Sequence, residues 1–409
     1  MKQTIETHVF ANGLVLAAEP MVSLESAAFT FLIPSGCIYD PHRRSGLAAL
    51  SCEMALRGAG ERDSRRLIED LENLGVQRGE SVGSVHTGFS GATLAKNLPP
   101  ALAIYADMLR RAHLPEEQLD AGRQVVIQEL RAIEDEPSHK VMLELKRRHY
   151  PDPWGQPSEG DMESLEAIAI DDVRRHYRQL FRPNGTIIGV AGKIDWRQLV
   201  DQVGELLGDW EPQETAEPPE GARGPKLDQL HHESNQTQIG IAYPSVPYRH
   251  PDYFQASGAV GVLSGGMSSR LFTEVREKRG LCYTVYASYH THRDRACVLC
   301  YAGTTAPRAQ ETLDVTLGQL RLLAKGVRPE ELQRLKTRVK SSLVMQQESS
   351  SARSGAIARD WYHLGRVRTL DEVGRLVDEL TDKSINRYLA ENPPDDFTIV
   401  TLGSEPLKV

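Results

Sequence analysis

No uninterrupted apolar run in the 409 residues approaches the ~20 needed to cross a bilayer, so a membrane-spanning helix is not expected. The opening MKQTIETHVFANG has neither the apolar stretch of a signal peptide nor the Arg-rich amphipathic pattern of a transit peptide. A cytoplasmic location is the expectation. Long Lys/Arg runs are absent and the formal net charge is −8, which argues against nucleic acid as a partner. Cysteine is scarce: Cys37, Cys52, Cys282, Cys297 and Cys300 form an odd, scattered set that fits reduced thiols rather than a disulfide framework. There is no G-x-x-x-x-G-K phosphate cradle and no H-x-x-E-H or H-E-x-x-H motif. What is present is an ordinary globular composition, 40% hydrophobic and 25% charged, with length for two or three domains.

Residues 14–18 and 27–33 read as strands separated by a turn at Glu19-Pro20, and 43–56 as a helix ending near Gly58. Asp63-Ser64 offers an N-cap for a helix over 65–74, with Gly75 at its C′ position. Two strand-like runs fill 76–94. Helices follow over 101–112, 115–133, 140–148 and 171–180, and TIIGVAG at 186–192 predicts a buried strand. A helix over 194–207 closes this half. Residues 211–226 carry Pro212, Pro218, Pro219 and Pro225, lack periodicity and read as a linker. A second series brings strands at 236–242, 283–289 and 296–302, helices at 308–324 and 329–347, and a last strand at 397–402. The halves, 1–210 and 227–409, each run strands, helix, strands, several helices, final strand, and end alike in GTIIGVAGK and FTIVTLGSE. That order predicts a tandem duplication of two α+β units, each a mixed β-sheet with helices packed mainly on one face.

Gly46-Leu47-Ala48, Met54, Arg57-Gly58 and Leu71-Glu72-Asn73-Leu74-Gly75 carry a resemblance. Val125-Val126-Ile127-Gln128-Glu129-Leu130, Pro183-Asn184 and Gly189-Val190-Ala191-Gly192 extend it, and Leu271-Phe272 with Val275-Arg276-Glu277-Lys278-Arg279-Gly280-Leu281-Cys282-Tyr283 continues it in the second half. Taken in this order and spacing, the chain resembles the pitrilysin/insulinase-type peptidases, which include the mitochondrial processing peptidase. The resemblance covers nearly the whole length. It implies an H-x-x-E-H helix in active members: two imidazoles on one helical face bind zinc, and the intervening Glu is the general base for a zinc-bound water. A Glu from a separate helix completes the ligands.

Here the five positions read Ala49-Leu50-Ser51-Cys52-Glu53. Ala49 and Glu53 replace the imidazoles, and Cys52 replaces the base, whose work a neutral thiol cannot do. Glu129 stands at the distal ligand position, and Gly122 where the family places a supporting Glu. The chain is therefore expected to bind no catalytic zinc and to have no autonomous peptidase activity. Without the resemblance, Ala49, Leu50 and Met54 are core residues of an amphipathic helix and Glu129 a solvated or salt-bridged carboxylate. Glu53 and Glu129 with an unusual hard cation form a weaker alternative.

The resemblance further implies roles for Arg276 and Tyr283. In active members an Arg and a Tyr at this spacing come from the half opposite the zinc. The Arg lies near the bound peptide and the Tyr hydroxyl donates to a substrate carbonyl or the forming oxyanion, worth ~3 kcal/mol in a dry site. The bland alternative is an Arg at a helix end and an aromatic opening a strand. SGGMSS at 264–269 reads as a small-residue loop before the helix of Arg276. Cys297-Val298-Leu299-Cys300 lies in a strand, where residues three apart face opposite ways, so it reads as neither a redox nor a metal motif. His231-His232 reads as a strand start, His290 and His292 as a solvated strand end, and Glu134-Asp135-Glu136 as an exposed helix end.

The expectation is a zinc-free subunit of a heterodimeric zinc endopeptidase. It would pair with a homologous H-x-x-E-H subunit that holds the zinc, bind extended peptide in a closed chamber, and supply Arg276 and Tyr283. The alternative is an inactive structural or peptide-binding homodimer that resembles the family's core proteins of respiratory complexes.

Overall fold

Every residue of Ile187–Gly192 is buried in the computed structural model of the chain, which describes residues 3–409. The first half contains β1 (Glu6–Val9), β2 (Val15–Pro20), β3 (Ser26–Ile33), α1 (Leu47–Ala55), the short β4 (Gly58–Ala59) and β5 (Arg62–Asp63), α2 (Ser64–Asn73), β6 (Gln77–Val82), β7 (Thr87–Leu94), α3 (Leu98–Arg110), α4 (Leu119–Glu134), α5 (Pro137–His149), α6 (Met162–Ala167), α7 (Ile170–Leu180), β8 (Ile187–Gly192) and α8 (Trp196–Leu207). The second half contains β9 (Leu227–His231), β10 (Gln236–Ser245), α9 (Tyr253–Ser264), a π-helical turn (Phe272–Glu277), β11 (Cys282–Thr291), β12 (Ala296–Thr305), α10 (Ala309–Leu323), α11 (Pro329–Gln347), α12 (Ser350–Leu364), α13 (Leu370–Asp378), α14 (Asp382–Glu391) and β13 (Thr398–Gly403). Residues 211–226 hold no helix or strand, only an isolated bridge from Arg223 to Pro151. No helix among the described residues is long and apolar enough to cross a membrane.

Two compact units form. One combines the chain up to Ala132 with Gln156–Glu220 and Met345–Thr369; the other combines Ile133–Gly155, Gly221–Val344 and Leu370–Val409. Each holds a mixed sheet with helices packed mainly on one face. The first sheet runs β1-β2-β8-β3-β7-β6 and the second β11-β12-β10-β13-β9. Read from opposite ends, β6-β7-β3-β8-β2 and β11-β12-β10-β13-β9 match strand for strand in chain order. In each, one pairing is parallel, β2 with β8 and β13 with β9, and the rest are antiparallel. The tandem repeat is thus present in the hydrogen-bonded topology.

Strand alternation sends Phe29, Phe31, Ile33, Ile188 and Val190 of the first unit into one core with Leu47, Leu50, Met54, Leu102 and Tyr105. The opposite residues Ala17, Ala191, Val15 and Ile187 meet Ile357 and Ala358 of α12. This seat is partly polar. Arg353 Nε donates to Glu19 Oε2 at 2.6 Å, both residues buried, and Thr30 Oγ1 lies 3.1 Å from Ser354 Oγ. The backbone approach is close: a Cβ on Gly189 would lie 2.2 Å from the Ser354 carbonyl oxygen. In the second unit Ile239, Ile241, Val298 and Cys300 face the core shared with α9 and α10. On the far face Ala242, Cys297, Leu299, Val400 and Leu402 pack with Val141 and Leu145 of α5 and with Tyr150. Cys297 and Cys300 accordingly lie on opposite faces.

Several sequence expectations change. Glu19 and Pro20 belong to β2 rather than to a turn, and α1 begins at Leu47 rather than at residue 43. His231 ends β9 instead of starting a strand. His292 is buried and His290 partly so, because Tyr150 covers them; its hydroxyl lies 2.8 Å from His290 Nδ1. They are packed histidines, not a solvated strand end. α12 has no apolar stripe to read, since Ser350, Arg353, Ser354, Asp360 and His363 are among its buried residues. α9, YFQASGAVGVLS, is nearly apolar all round and shows no helical period.

Replacing Gly189 by Val pushes a side chain into the α12 backbone. Chemical denaturation should show a loss of about 1–3 kcal/mol. Gly374→Ala, at a site with nothing within 4 Å of the added carbon, should be neutral or slightly stabilising.

Candidate functional site

In the first unit, α1 starts from Gly46 at φ +93°, and Asp40 holds its first amides. Gly46 N–H donates to Asp40 Oδ2 at 2.8 Å and Ala48 N–H to Oδ1 at 2.9 Å. Burial pushes the Asp40 carboxyl up to about 7, against the pull of these amides. Leu47, Leu50 and Met54 point into the core, while Ala49 and Glu53, one turn apart, share a less buried strip.

Glu53 is occupied by Arg57. Its Oε1 accepts from Arg57 Nη2 at 2.6 Å and from Nε at 3.1 Å, and Arg57 Nη1 reaches Gln118 Oε1 at 3.4 Å. The spacing is the i,i+4 Glu-to-Arg order that helices favour. A Cβ on Gly122 of α4 would lie 2.8 Å from Met54 Sδ, 3.2 Å from Arg57 Nε and 3.6 Å from Glu53 Cγ. Met54 and Arg57 thus fill the room that a carboxylate at position 122 would need. Glu129, two turns further along α4, is exposed. Partial burial of its carboxyl, then the charges of Glu53 and Glu159, raise its pKa.

Cys52 is buried. Desolvation, then the charges of Glu80, Glu53 and Glu129, hold its thiol far above the usual value. A thiol kept protonated is no base for water. These positions therefore converge, but the residues present do not fit zinc. A methyl, a neutral thiol and a carboxylate tied to a guanidinium stand where imidazoles and base would be. Among the described residues no group of three or more His, Cys, Asp or Glu is placed to hold a metal ion. Glu80 on the edge strand β6 and Glu159 enter this site without having been singled out in the sequence, and Arg57, named there only in the family motif, enters as the partner of Glu53. Only the Glu53/Arg57 spacing signals its partner there.

In the second unit, Arg270 anchors the segment carrying Arg276. It forks onto buried Glu331 of α11, Nε to Oε1 at 2.9 Å and Nη2 to Oε2 at 2.7 Å. The helix then widens: Lys278 N–H donates to Thr273 C=O at 2.9 Å, the i→i+5 pattern that recurs at functional sites. Gly280, at φ +58°, turns the chain into β11. The ladder to β12 slips between Cys282 and Thr284, leaving Tyr283 out of register and 80% exposed. Such a bulge re-aims a side chain. The two irregularities bring Arg276 and Tyr283 together, with the guanidinium carbon 4.4 Å from the Tyr283 ring centroid and 4.9 Å from that of Phe272. Among the described residues Arg276 has no carboxylate partner. Lys278 and Arg279 share Glu274 at 2.6 and 2.9 Å.

Comparison with known proteins bears on both sites. Residues 17–160 match the model described as Insulinase (Peptidase family M16), and 167–339 the Peptidase M16 inactive domain. An uncharacterized zinc protease of Bacillus subtilis (strain 168) is 27% identical over 406 residues, 98% of each chain. The probable mitochondrial-processing peptidase subunit beta of Schizosaccharomyces pombe is 24% identical over 418 residues, 98% of this chain and 91% of that one. The crystal structure of a peptidase M16 inactive domain from Pseudomonas fluorescens matches the fold with a TM-score of 0.91 at 20% identity over 99% of both chains. A chain of Complex III2 from Candida albicans matches with a TM-score of 0.83 at 18% identity, over 98% of this chain and 96% of that one.

Two measurements test these local descriptions. At about pH 8.5, where free cysteine reacts, iodoacetamide should leave Cys52 unmodified in the native protein and label it only after denaturation, as read by peptide mass mapping. The second concerns Glu331. Burial raises its pKa, but hydrogen bonds from Arg270 and Arg328 outweigh this and hold it down to about 2. A depressed carboxyl contributes stability that is full above the usual glutamate value and is lost as pH falls. Unfolding free energy should therefore drop between about pH 4.5 and 2. Glu331→Gln should lower stability at neutral pH and flatten that acid limb.

Proposed function

The chain belongs to the insulinase (M16) peptidase family, and from that membership we propose that it is the zinc-free subunit of a heterodimeric zinc endopeptidase. Its partner would be a homologous chain that retains H-x-x-E-H and holds the zinc. In this reading the chain helps close a peptide-binding chamber, lays extended peptide along a sheet edge, and presents Arg276 and Tyr283 to the partner's site.

The observation that carries the reading is the contrast between the repeats. At the first site the ligand positions are taken over by structure: Glu53 pairs with Arg57, and Met54 and Arg57 close the space at Gly122. In the second, Arg276 lacks an acidic partner and Tyr283 stands exposed, a disposition that favours contact with a ligand over internal packing. The relatives named as zinc proteases and as a processing-peptidase subunit support the peptidase setting. The chemistry asked of this chain is modest. The Tyr283 hydroxyl donates to a substrate carbonyl as charge develops on it, and Arg276 orients the peptide.

Reconstitution tests the proposal. The chain is mixed with a homologous H-x-x-E-H chain, and cleavage of an unstructured peptide is followed. Activity should require both chains, and Tyr283→Phe should lower the rate about a hundredfold with assembly unchanged by gel filtration. Assembly without any gain in cleavage would favour a structural homodimer instead, and an unaltered rate in the Tyr283 variant would remove the role given to that residue.

A further inference from the structure

Arg276 is a planar cation with two rings against it, and among the described residues no carboxylate pairs with it. We propose that it selects an acidic side chain, Asp or Glu, of an extended peptide laid along the edge strand β11. The proposal rests on the peptide-binding reading above and gives it a substrate class.

The guanidinium carbon sits 4.9 Å from the Phe272 centroid and 4.4 Å from that of Tyr283. All five N–H donors of a guanidinium lie in its plane, so ring contacts leave the donors directed outward. That presentation suits a carboxylate, which accepts two parallel hydrogen bonds from the fork.

Residues 270–281 carry Arg270, Arg276, Lys278 and Arg279 against Glu274 and Glu277. Glu274 takes Lys278 and Arg279, and Arg270 is committed to Glu331. Arg308, which approaches the same turn, donates to the carbonyls of Gly280 and Arg279 and adds a further cation. The four cations Arg276, Lys278, Arg279 and Arg308 outnumber the two carboxylates Glu274 and Glu277, so the turn is positive, and among the described residues Arg276 is in no ion pair. β11 itself, CYTVYASYHT, contains no Asp, Glu, Lys or Arg, so it does not oppose an incoming anion.

Among the described residues β11 pairs with no strand but β12, which leaves its other edge without a strand partner. Tyr283, Thr284, Tyr286 and Ser288 are exposed along it. Such an edge accepts main-chain hydrogen bonds from any extended segment, so selectivity must come from side chains beside it. Arg276, stacked on Tyr283 at the start of the strand, is placed to supply it.

The test uses the full chain and a set of fluorescent, unstructured peptides with blocked ends. Members carry Glu, Gln or Lys at one position moved along the sequence, and one more member has a free carboxyl terminus but no acidic side chain. Anisotropy is read at low and high salt. At the best position Glu should bind roughly ten- to a hundredfold tighter than Gln, with Lys weakest and the advantage shrinking in salt. Arg276→Gln should bring the Glu and Gln peptides to the same affinity, and Arg276→Lys should retain part of the Glu preference. Equal binding of Glu and Gln, a preference that survives Arg276→Gln, or a gain confined to the free terminus would overturn the selectivity and leave the peptide-binding reading intact. Absence of binding by every peptide would sink both.

Discussion

Central strands that are apolar on both faces dictate this architecture. β8 and β13 are buried at every position, so neither sheet is satisfied by helices on one side alone. In each unit a single helix supplies the second cover: α12 over β8 and β3, α5 over β10 and β13. These helices follow α11 and α4 respectively, and so occupy equivalent places in the two repeats. The two seats differ in chemistry. That of α5 is lined by Val141 and Leu145, whereas α12 carries the buried pair of Arg353 with Glu19 and the Ser354–Thr30 contact. Removing one member of a buried ion pair costs about 3–5 kcal/mol because the other charge is stranded, so the α12 seat depends on an exact pairing that a greasy seat does not require. Gly189 permits the close approach that makes this pairing reachable.

The same layering explains how α1 can lose its chemistry and remain in place. Leu47, Leu50 and Met54 hold the helix in the core, and Asp40 holds its first turn. None of these contacts depends on what occupies positions 49, 52 or 53. Once imidazoles are absent, the carboxylate at 53 meets a guanidinium one turn away, and Gly122 leaves room for that guanidinium and for Met54. The outcome is a satisfied, half-buried ion pair.

Much of this was legible in the sequence. The run TIIGVAG predicts β8 because it is short for a helix and rich in β-branched residues, which suits a buried strand. Asp63 and Gly75 mark α2, and the Asp63 side chain does accept from Arg66 N–H. The duplication is readable from the order of elements, although the reciprocal covering by α5 and α12 is not. α12 hides because its contact face holds Ser, Arg, Asp and His, which hydropathy assigns to solvent. The histidines at 290 and 292 misled for a related reason: Tyr150, distant in sequence, buries them. Positions 49, 52, 53, 122 and 129 could be named from the family resemblance, but the contributions of Glu80 and Glu159 depend on tertiary proximity, which spacing does not encode.

The two repeats offer an internal control for the remaining site. In topological order α2 and β6 correspond to the π-helical turn and β11. α2 is a regular helix with a side-chain N-cap, and β6 pairs with β7 in continuous register. Both corners turn on a left-handed glycine, Gly75 at φ +62° and Gly280 at φ +58°, but the second adds a widened helical turn and a slipped ladder within about a dozen residues. One scaffold can therefore build this corner without irregularity. Each departure here acts on the same two side chains, turning Arg276 and Tyr283 toward one another and out of the packed layer. Packing alone gives no reason for an exposed tyrosine and a cation without an acid, because neither buries area nor satisfies a buried polar group. A ligand that meets the ring, the hydroxyl and the guanidinium together does give a reason, and for that the irregular corner is the better scaffold.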